Sequence, residues 1–284
     1  RVNSVGLEGD IRFAAHHIVP VDGRNANRRI RGRVGYFKGN GRPRGYKRRA
    51  QINRIEYREA NLRAENFELD ANDIVNAISD TTQMIFLCSP NSPTGNLLDA
   101  GEIESIVQIF DGIVVVDESY IDFVPQATVI GLLNKYKNLV VLRSFSHAWA
   151  LAGLNLSAII AHPDIICNIA KIALSHPINT ITINAALEMI KNRLDMDKWT
   201  RQIIDERTKV EIALKDIPEC EHIYHSDANF LLVKFSNSAS IYKDLLKNGI
   251  AVHPVMGCLR LTIGLPQDNS ALLGALRRRN SSIK

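Results

Sequence analysis

Residues 139–161 read LVVLRSFSHAWALAGLNLSAIIA. The stretch predicts a buried strand, a serine-rich turn, a closely packing run of Ala, Leu and Gly, and a second apolar strand. Two earlier runs have the same character, MIFLC at 84–88 and IVVV at 113–116. Short apolar runs bounded by turn residues suit strands buried on both faces of a parallel sheet. An amphipathic helix lies between them. Asp99 and Glu102 have capping-box spacing, and Ile103, Ile106, Val107 and Phe110 then mark one helical face. Buried strands alternating with such helices predict an α/β fold with a mostly parallel sheet.

Upstream, residues 52–57 predict a strand. Asp70 predicts a helix N-cap ahead of Ile74, Val75 and Ile78. Residues 128–137 predict a short helix. Past Ala161 the pattern changes. Helices are predicted over 163–174 and 184–214, the second interrupted near 195–197. A strand over 229–235, a helix over 241–247, short strands near 250–252 and 259–263, and a last helix over 270–278 follow. That order predicts a smaller α+β carboxyl-terminal domain. The expected division is an atypical basic segment at 1–50, a large domain at 51–185 and a small domain at 186–284.

A chain of 284 residues, 45% hydrophobic, buries a large core. It has no apolar run of about 18 residues, so no membrane span is expected. Its first residues lack a basic start followed by an apolar run, so no secretory signal is expected. Cys88, Cys167, Cys220 and Cys258 are scattered without CxxC spacing, which predicts a reduced, cytoplasmic setting and no metal site. The net charge of +5 is unevenly spread. Residues 1–54 carry 14 Lys and Arg against Glu8, Asp10 and Asp22, while the remainder carries 21 against 27 acids. Residues 24–54 are rich in Arg and Gly without periodicity. Three readings stand: a nucleic-acid arm in which Arg neutralises phosphates and Tyr36, Phe37 and Tyr46 stack on bases, a disordered basic tail, or a rearranged gene start.

The motifs FLCSPNSPTGNLL, VVVDESYIDF, LVVLRSFSHAWALAGL, SDANFLLVKF and CLRLTIG occur in that order. Together they resemble fold-type I pyridoxal-phosphate aminotransferases, the histidinol-phosphate aminotransferase family in particular, over residues 50–284. The resemblance implies a large domain holding pyridoxal phosphate, a small domain and a homodimer. It implies amino transfer between histidinol phosphate and 2-oxoglutarate, with glutamate the counterpart amino donor, in histidine biosynthesis. Ligands of open α/β sheets bind beyond the carboxyl ends of the strands, where SPNSPTG, DESY and SFSH fall.

By that resemblance Asp117 would meet the pyridinium nitrogen, where an anion keeps the nitrogen protonated. Tyr120 and either Asn91 or Ser92 would donate to the ring oxygen. Ser144 and Ser146 would donate to the cofactor phosphate, with Asn155 beside it. Arg260 would grip the substrate carboxylate, a role that suits a planar fork of donors, and His253 holds the place of a substrate-phosphate ligand. Taken singly, Asp117 and the serines read as turn residues and Arg260 as a surface ion pair.

Four departures from the family pattern bear on activity. His147 stands at the Schiff-base lysine, and imidazole has no primary amine for covalent attachment, although it can serve as a base near neutrality. Asn155 and His253 each replace an arginine that meets a phosphate. The part before residue 50 is expected to lack the first strand, the phosphate-binding helix and the ring-stacking aromatic, with Tyr46 a candidate remnant. Three lost cations in one site predict impaired or absent transaminase activity, a pseudoenzyme. The alternative is a non-catalytic binding protein whose basic segment binds nucleic acid.

Overall fold

Two sheets organise the residues that the computed structural model describes, 12–16, 33–38, 44–63, 65–173 and 178–281. The larger sheet contains β1 (Arg12–His16), β2 (Arg33–Lys38), β3 (Glu56–Asn61), β4 (Thr82–Cys88), β5 (Ile113–Asp117), β6 (Leu139–Ser144) and β7 (Ser157–Ala161), in the order β1-β7-β6-β5-β4-β2-β3. β7 runs antiparallel to both neighbours, and the other pairings are parallel.

The continuous apolar runs have a simple cause. Successive side chains of a strand point to opposite faces. Ile85, Leu87, Val114, Val116, Leu139 and Val141 join one core cluster, while Phe86, Val115, Val140 and Leu142 join another on the opposite face. Helices α2 (Ala71–Ala77) and α3 (Ala100–Ile109) cover the first face through Ile74, Ile103, Ile106 and Val107, and α4 (Pro163–Ile172) covers the second through Ile166.

Both predicted N-caps form. Asp70 accepts from the Asn72 N–H at 2.9 Å, and Asp99 accepts from Gly101 and Glu102 at 2.8 and 3.0 Å. Glu102, however, does not complete a capping box. Its Oε2 accepts from the Ala71 N–H at 2.6 Å, so it caps α2 instead of its own helix. A carboxylate there satisfies an orphan donor and complements the helix dipole. Glu102→Ala is therefore expected to lower stability by about 1 kcal/mol, read as a lower urea midpoint at unchanged slope. A midpoint equal to that of the unaltered protein would deny the carboxylate this role.

The smaller, antiparallel sheet has the order β10-β11-β9-β8, from β8 (Cys220–Tyr224), β9 (Phe230–Phe235), β10 (His253–Val255) and β11 (Cys258–Thr262). Leu231, Val233, Phe235, Leu259 and Leu261 pack under α6 (Arg193–Lys215), α7 (Ser238–Lys247) and α8 (Pro266–Ser281). The alternate positions face the other way. Leu232 and Cys258 join the core of the larger sheet, and Phe230 packs with Tyr120. Period two thus turns Arg260, between Leu259 and Leu261, toward the larger sheet.

The amino-terminal side differs from expectation. The first strand is present as β1, and β2 lies in parallel register between β3 and β4, with Tyr36 opposite both Glu59 and Phe86. Residues 44–52 form α1 (Arg44–Ile52), so the strand expected over 52–57 starts only at Glu56. Pairing with distant strands satisfies these backbone groups, and local composition carries no sign of it. Part of the Arg- and Gly-rich stretch, residues 24–32 and 39–43, lies outside the described residues.

Elsewhere the differences are smaller. The long helix is two, α5 (Thr180–Lys191) and α6, broken at Asn192 rather than at 195–197. Residues 130–134 form a 3-10 turn inside the span expected as a short helix. No helix among the described residues is long and apolar enough to cross a membrane.

Candidate active site

The tips of β4, β5 and β6 converge at one edge of the larger sheet. Cys88 is the register partner of Asp117, and Asp117 of Leu142. The loop 89–97, residues 118–120 and the turn 145–156 therefore rise side by side, at the end of a parallel sheet where ligands bind.

Asp117 is surrounded by donors. Its Oδ1 accepts from the Ser119 N–H at 3.1 Å and from the Ser119 hydroxyl at 2.5 Å, and its Oδ2 accepts from the Tyr46 hydroxyl. Tyr46 comes from α1, and its ring centre lies 4.7 Å from that of Phe86. The residue singled out in the sequence as a candidate aromatic remnant thus reaches the tip of β5. Beside it, burial and the charge of Asp117 push the Cys88 thiol pKa well up, so the thiol stays protonated.

Five further side chains close the site. The Tyr120 ring stacks on the His147 imidazole at 4.2 Å and 16°, and meets Phe230 edge-on at 5.3 Å. The Arg260 guanidinium lies over the other ring, 4.1 Å from the Phe230 centre. Its Nη1 donates to Ser92 Oγ at 3.1 Å, and the Tyr120 hydroxyl is hydrogen-bonded within the same trio. Burial raises the Tyr120 pKa against the pull of Arg260, which keeps the phenol a donor. His147 moves the opposite way. Burial first, and the Arg260 charge second, hold its pKa below the ordinary histidine value despite Asp117, so the imidazole is neutral at pH 7.

The sequence left Asn91 and Ser92 open, and they are in different surroundings. Asn91 is buried within its own turn. Its Nδ2 donates to Thr94 Oγ1 at 2.7 Å, and its backbone bonds Asn96 and Gly95. Ser92 is the one beside Arg260 and Tyr120. Ser144 and Ser146 are joined at the head of the next turn, where Ser144 Oγ accepts from the Ser146 N–H at 3.1 Å. Asn155 is exposed in the left-handed region at φ 49°. His253 is exposed on β10, directly across from Arg260. Asp117, Tyr120, His147, Ser92 and Arg260 thus come together, while Asn91, Asn155 and His253 stand at the margin or in the frame.

Sequence reasoning passed over part of the support. Glu118 is 1% exposed, accepts from Thr128 Oγ1 at 2.8 Å and from the Val129 N–H at 2.7 Å, and forms an ion pair with Arg143, whose Nε lies 2.9 Å away without hydrogen-bond geometry. Arg143 also reaches Asp122 at 3.2 Å, which accepts from Trp149 Nε1 at 3.1 Å. The DESY and SFSH turns are thereby tied together below the site. The motif VVVDESYIDF held two of these acids, but nothing in it distinguished Glu118 from a solvated neighbour.

Comparison with known proteins gives the family and the fold. Residues 44–276 match the family model of aminotransferase class I and II. The histidinol-phosphate aminotransferase of Parabacteroides distasonis is 40% identical over 238 residues, 82% of this chain and 69% of that protein. That of Bacteroides thetaiotaomicron is 37% identical over 235 residues, 81% of this chain and 68% of the relative. Among solved structures, the histidinol-phosphate aminotransferase of Clostridium acetobutylicum superposes with a TM-score of 0.84 at 20% identity, covering 96% of this chain and 85% of the other. The Sinorhizobium meliloti protein, solved in complex with pyridoxal-5'-phosphate, gives 0.78 at 19% identity over 89% and 72%. The two structural likenesses carry the fold, which is that of the fold-type I aminotransferases.

Proposed function

Because the chain belongs to the class I and II aminotransferases, in the histidinol-phosphate aminotransferase family, we propose that it binds pyridoxal phosphate without a covalent bond and transfers amino groups weakly or not at all. The observation that carries the reading is His147, a neutral imidazole stacked on Tyr120 in the middle of the site. No lysine lies between Lys137 and Lys171.

The donor set fits the cofactor in other respects. A carboxylate, a protonated phenol and a serine hydroxyl stand together, and Arg260 Nε is buried without a hydrogen-bond partner. When bound, pyridoxal phosphate supplies the electron sink for amino transfer. Asp117 would hold the proton on the ring nitrogen, and Tyr120 and Ser92 would donate to the ring oxygen. Ser144 and Ser146 would bind the phosphate, with Asn155 adding a hydrogen bond but no charge. Arg260 would take the carboxylate of glutamate or 2-oxoglutarate, and exposed His253 would offer a weak cation to the phosphate of histidinol phosphate. Neutral His147 can accept a proton, but it cannot form the bond that a lysine makes.

A cytoplasmic homodimer belongs to the same proposal, as does a cofactor-holding part over residues 51–185, extended by β1 and β2, with a smaller part over 186–284. The nucleic-acid reading has no comparable support. It rests on residues 24–54, and of its three aromatics Tyr46 bonds Asp117.

Titration with pyridoxal phosphate, followed by absorbance and then borohydride and intact mass, tests the reading. A saturable spectral change with unchanged protein mass is expected. Asp117→Ala is expected to weaken binding about tenfold or more, the size of one lost hydrogen bond to a charged group. A borohydride-fixed mass increment in the unaltered protein would overturn non-covalent binding.

A further inference from the structure

Of the motif SDANF, residues 226–230, Phe230 alone was placed in the site above, yet the whole segment ties the two sheets together beside it. The Asp227 N–H donates to the Gly95 carbonyl at 2.8 Å, and Asp227 Oδ2 accepts from the Leu97 N–H at 3.0 Å. Gly95 sits at φ 92°, and a Cβ placed on it would lie 2.4 Å from Ser226 Oγ, so the two loops touch backbone to side chain. Ser226 Oγ accepts from the Ala228 N–H at 3.2 Å and donates to the Phe230 carbonyl at 2.5 Å. Arg207 of α6 donates to the Ala228 carbonyl at 2.5 Å. The short segment is thus bonded from α6, from β9 and from the loop 89–97.

Those contacts close a ring. Loop 89–97 carries Ser92, and Ser92 accepts from Arg260. Arg260 lies on the face of Phe230, the residue that ends the segment. Among the described residues, Asp227 is the only one of the segment whose side chain hydrogen-bonds the loop's backbone. His225, with Nε2 at 3.2 Å, is 77% exposed and contributes little, and the Arg207 guanidinium lies within electrostatic reach of the carboxylate.

We propose that Asp227 is a positioning residue that sets the spacing between Ser92 and Arg260, and so the affinity of the site for a carboxylate substrate. It touches neither the reacting atoms nor the cofactor ring. It acts by fixing the loop that carries Ser92 against the strand pair that carries Arg260. The inference rests on the reading of Arg260 as the carboxylate ligand.

The test is calorimetric titration of 2-oxoglutarate into the protein loaded with pyridoxal phosphate. Four proteins are compared: unaltered, Asp227→Ala, Asp227→Asn and Arg260→Ala. Asp227→Ala is expected to weaken 2-oxoglutarate about tenfold and pyridoxal phosphate less than about twofold, while Asp227→Asn keeps an acceptor for the Leu97 N–H and restores binding. If Arg260→Ala weakens binding and Asp227→Ala does not, the positioning role is wrong and the reading of Arg260 survives. If Arg260→Ala leaves 2-oxoglutarate unchanged, the reading of Arg260 fails and takes this inference with it. Equal loss of both ligands and of the thermal midpoint in Asp227→Ala, without rescue by asparagine, would reduce the residue to a structural one.

Discussion

His147→Lys is expected to raise turnover of histidinol phosphate with 2-oxoglutarate by about 10²–10⁴-fold, the usual worth of a positioned acid–base group. It is also expected to make the bound cofactor fixable by borohydride. The surroundings already suit an amine. Burial and the nearby Arg260 charge lower the imidazole pKa, and the same two influences lower that of an ammonium. A lysine placed there would be neutral, and so nucleophilic, closer to physiological pH than an exposed one. Intact mass after borohydride and a coupled turnover assay, run side by side on both proteins, decide the matter. Equal turnover in the two would show that the defect lies elsewhere.

Asn155→Arg should add less. Asn155 is held at φ 49°, a conformation that asparagine tolerates and most other residues pay for by about 1 kcal/mol. A cation gained at the proposed phosphate site is therefore partly offset by backbone strain. On the proposed reading, His147→Lys is expected to change turnover more than Asn155→Arg, and Asn155→Arg to act chiefly on cofactor affinity.

What could be read from the sequence follows from what each residue packs against. MIFLC, IVVV and LVVL announced themselves because both faces of β4, β5 and β6 are covered, leaving no polar alternation. β1 and β2 did not, because their pairing lies far along the chain. Tyr46 shows the same limit, since its partner Asp117 is 71 residues away. Glu102 had the spacing of a capping box, yet the N-terminus of a neighbouring helix captured its carboxylate. For Arg260 the alternation in CLRLT fixed its side of the sheet but not what it would face. The different surroundings of Asn91 and Ser92 were invisible because they arise from bonds inside the turn, such as that from Asn91 to Thr94.

The buried acid below the site carries the largest expected effect on stability. Removing the Glu118 carboxylate by Glu118→Ala leaves the Val129 N–H without its acceptor and takes one of two carboxylates from Arg143. Breaking a buried ion pair from one side costs about 3–5 kcal/mol. Burial also raises the Glu118 pKa, with Arg143 pulling against it, so desolvation outweighs attraction in this pair. That balance makes a second expectation. Adding Arg143→Met should recover part of the loss, because the buried guanidinium, left with Asp122 as its one carboxylate, is removed along with its partner. Urea midpoints of the two single variants and the double variant test both. Additive losses would mean the pair is not coupled. A Glu118→Ala loss below about 1 kcal/mol would place the pair with exposed ion pairs, and the tie between the DESY and SFSH turns would then have to come from Trp149 and Asp122 instead.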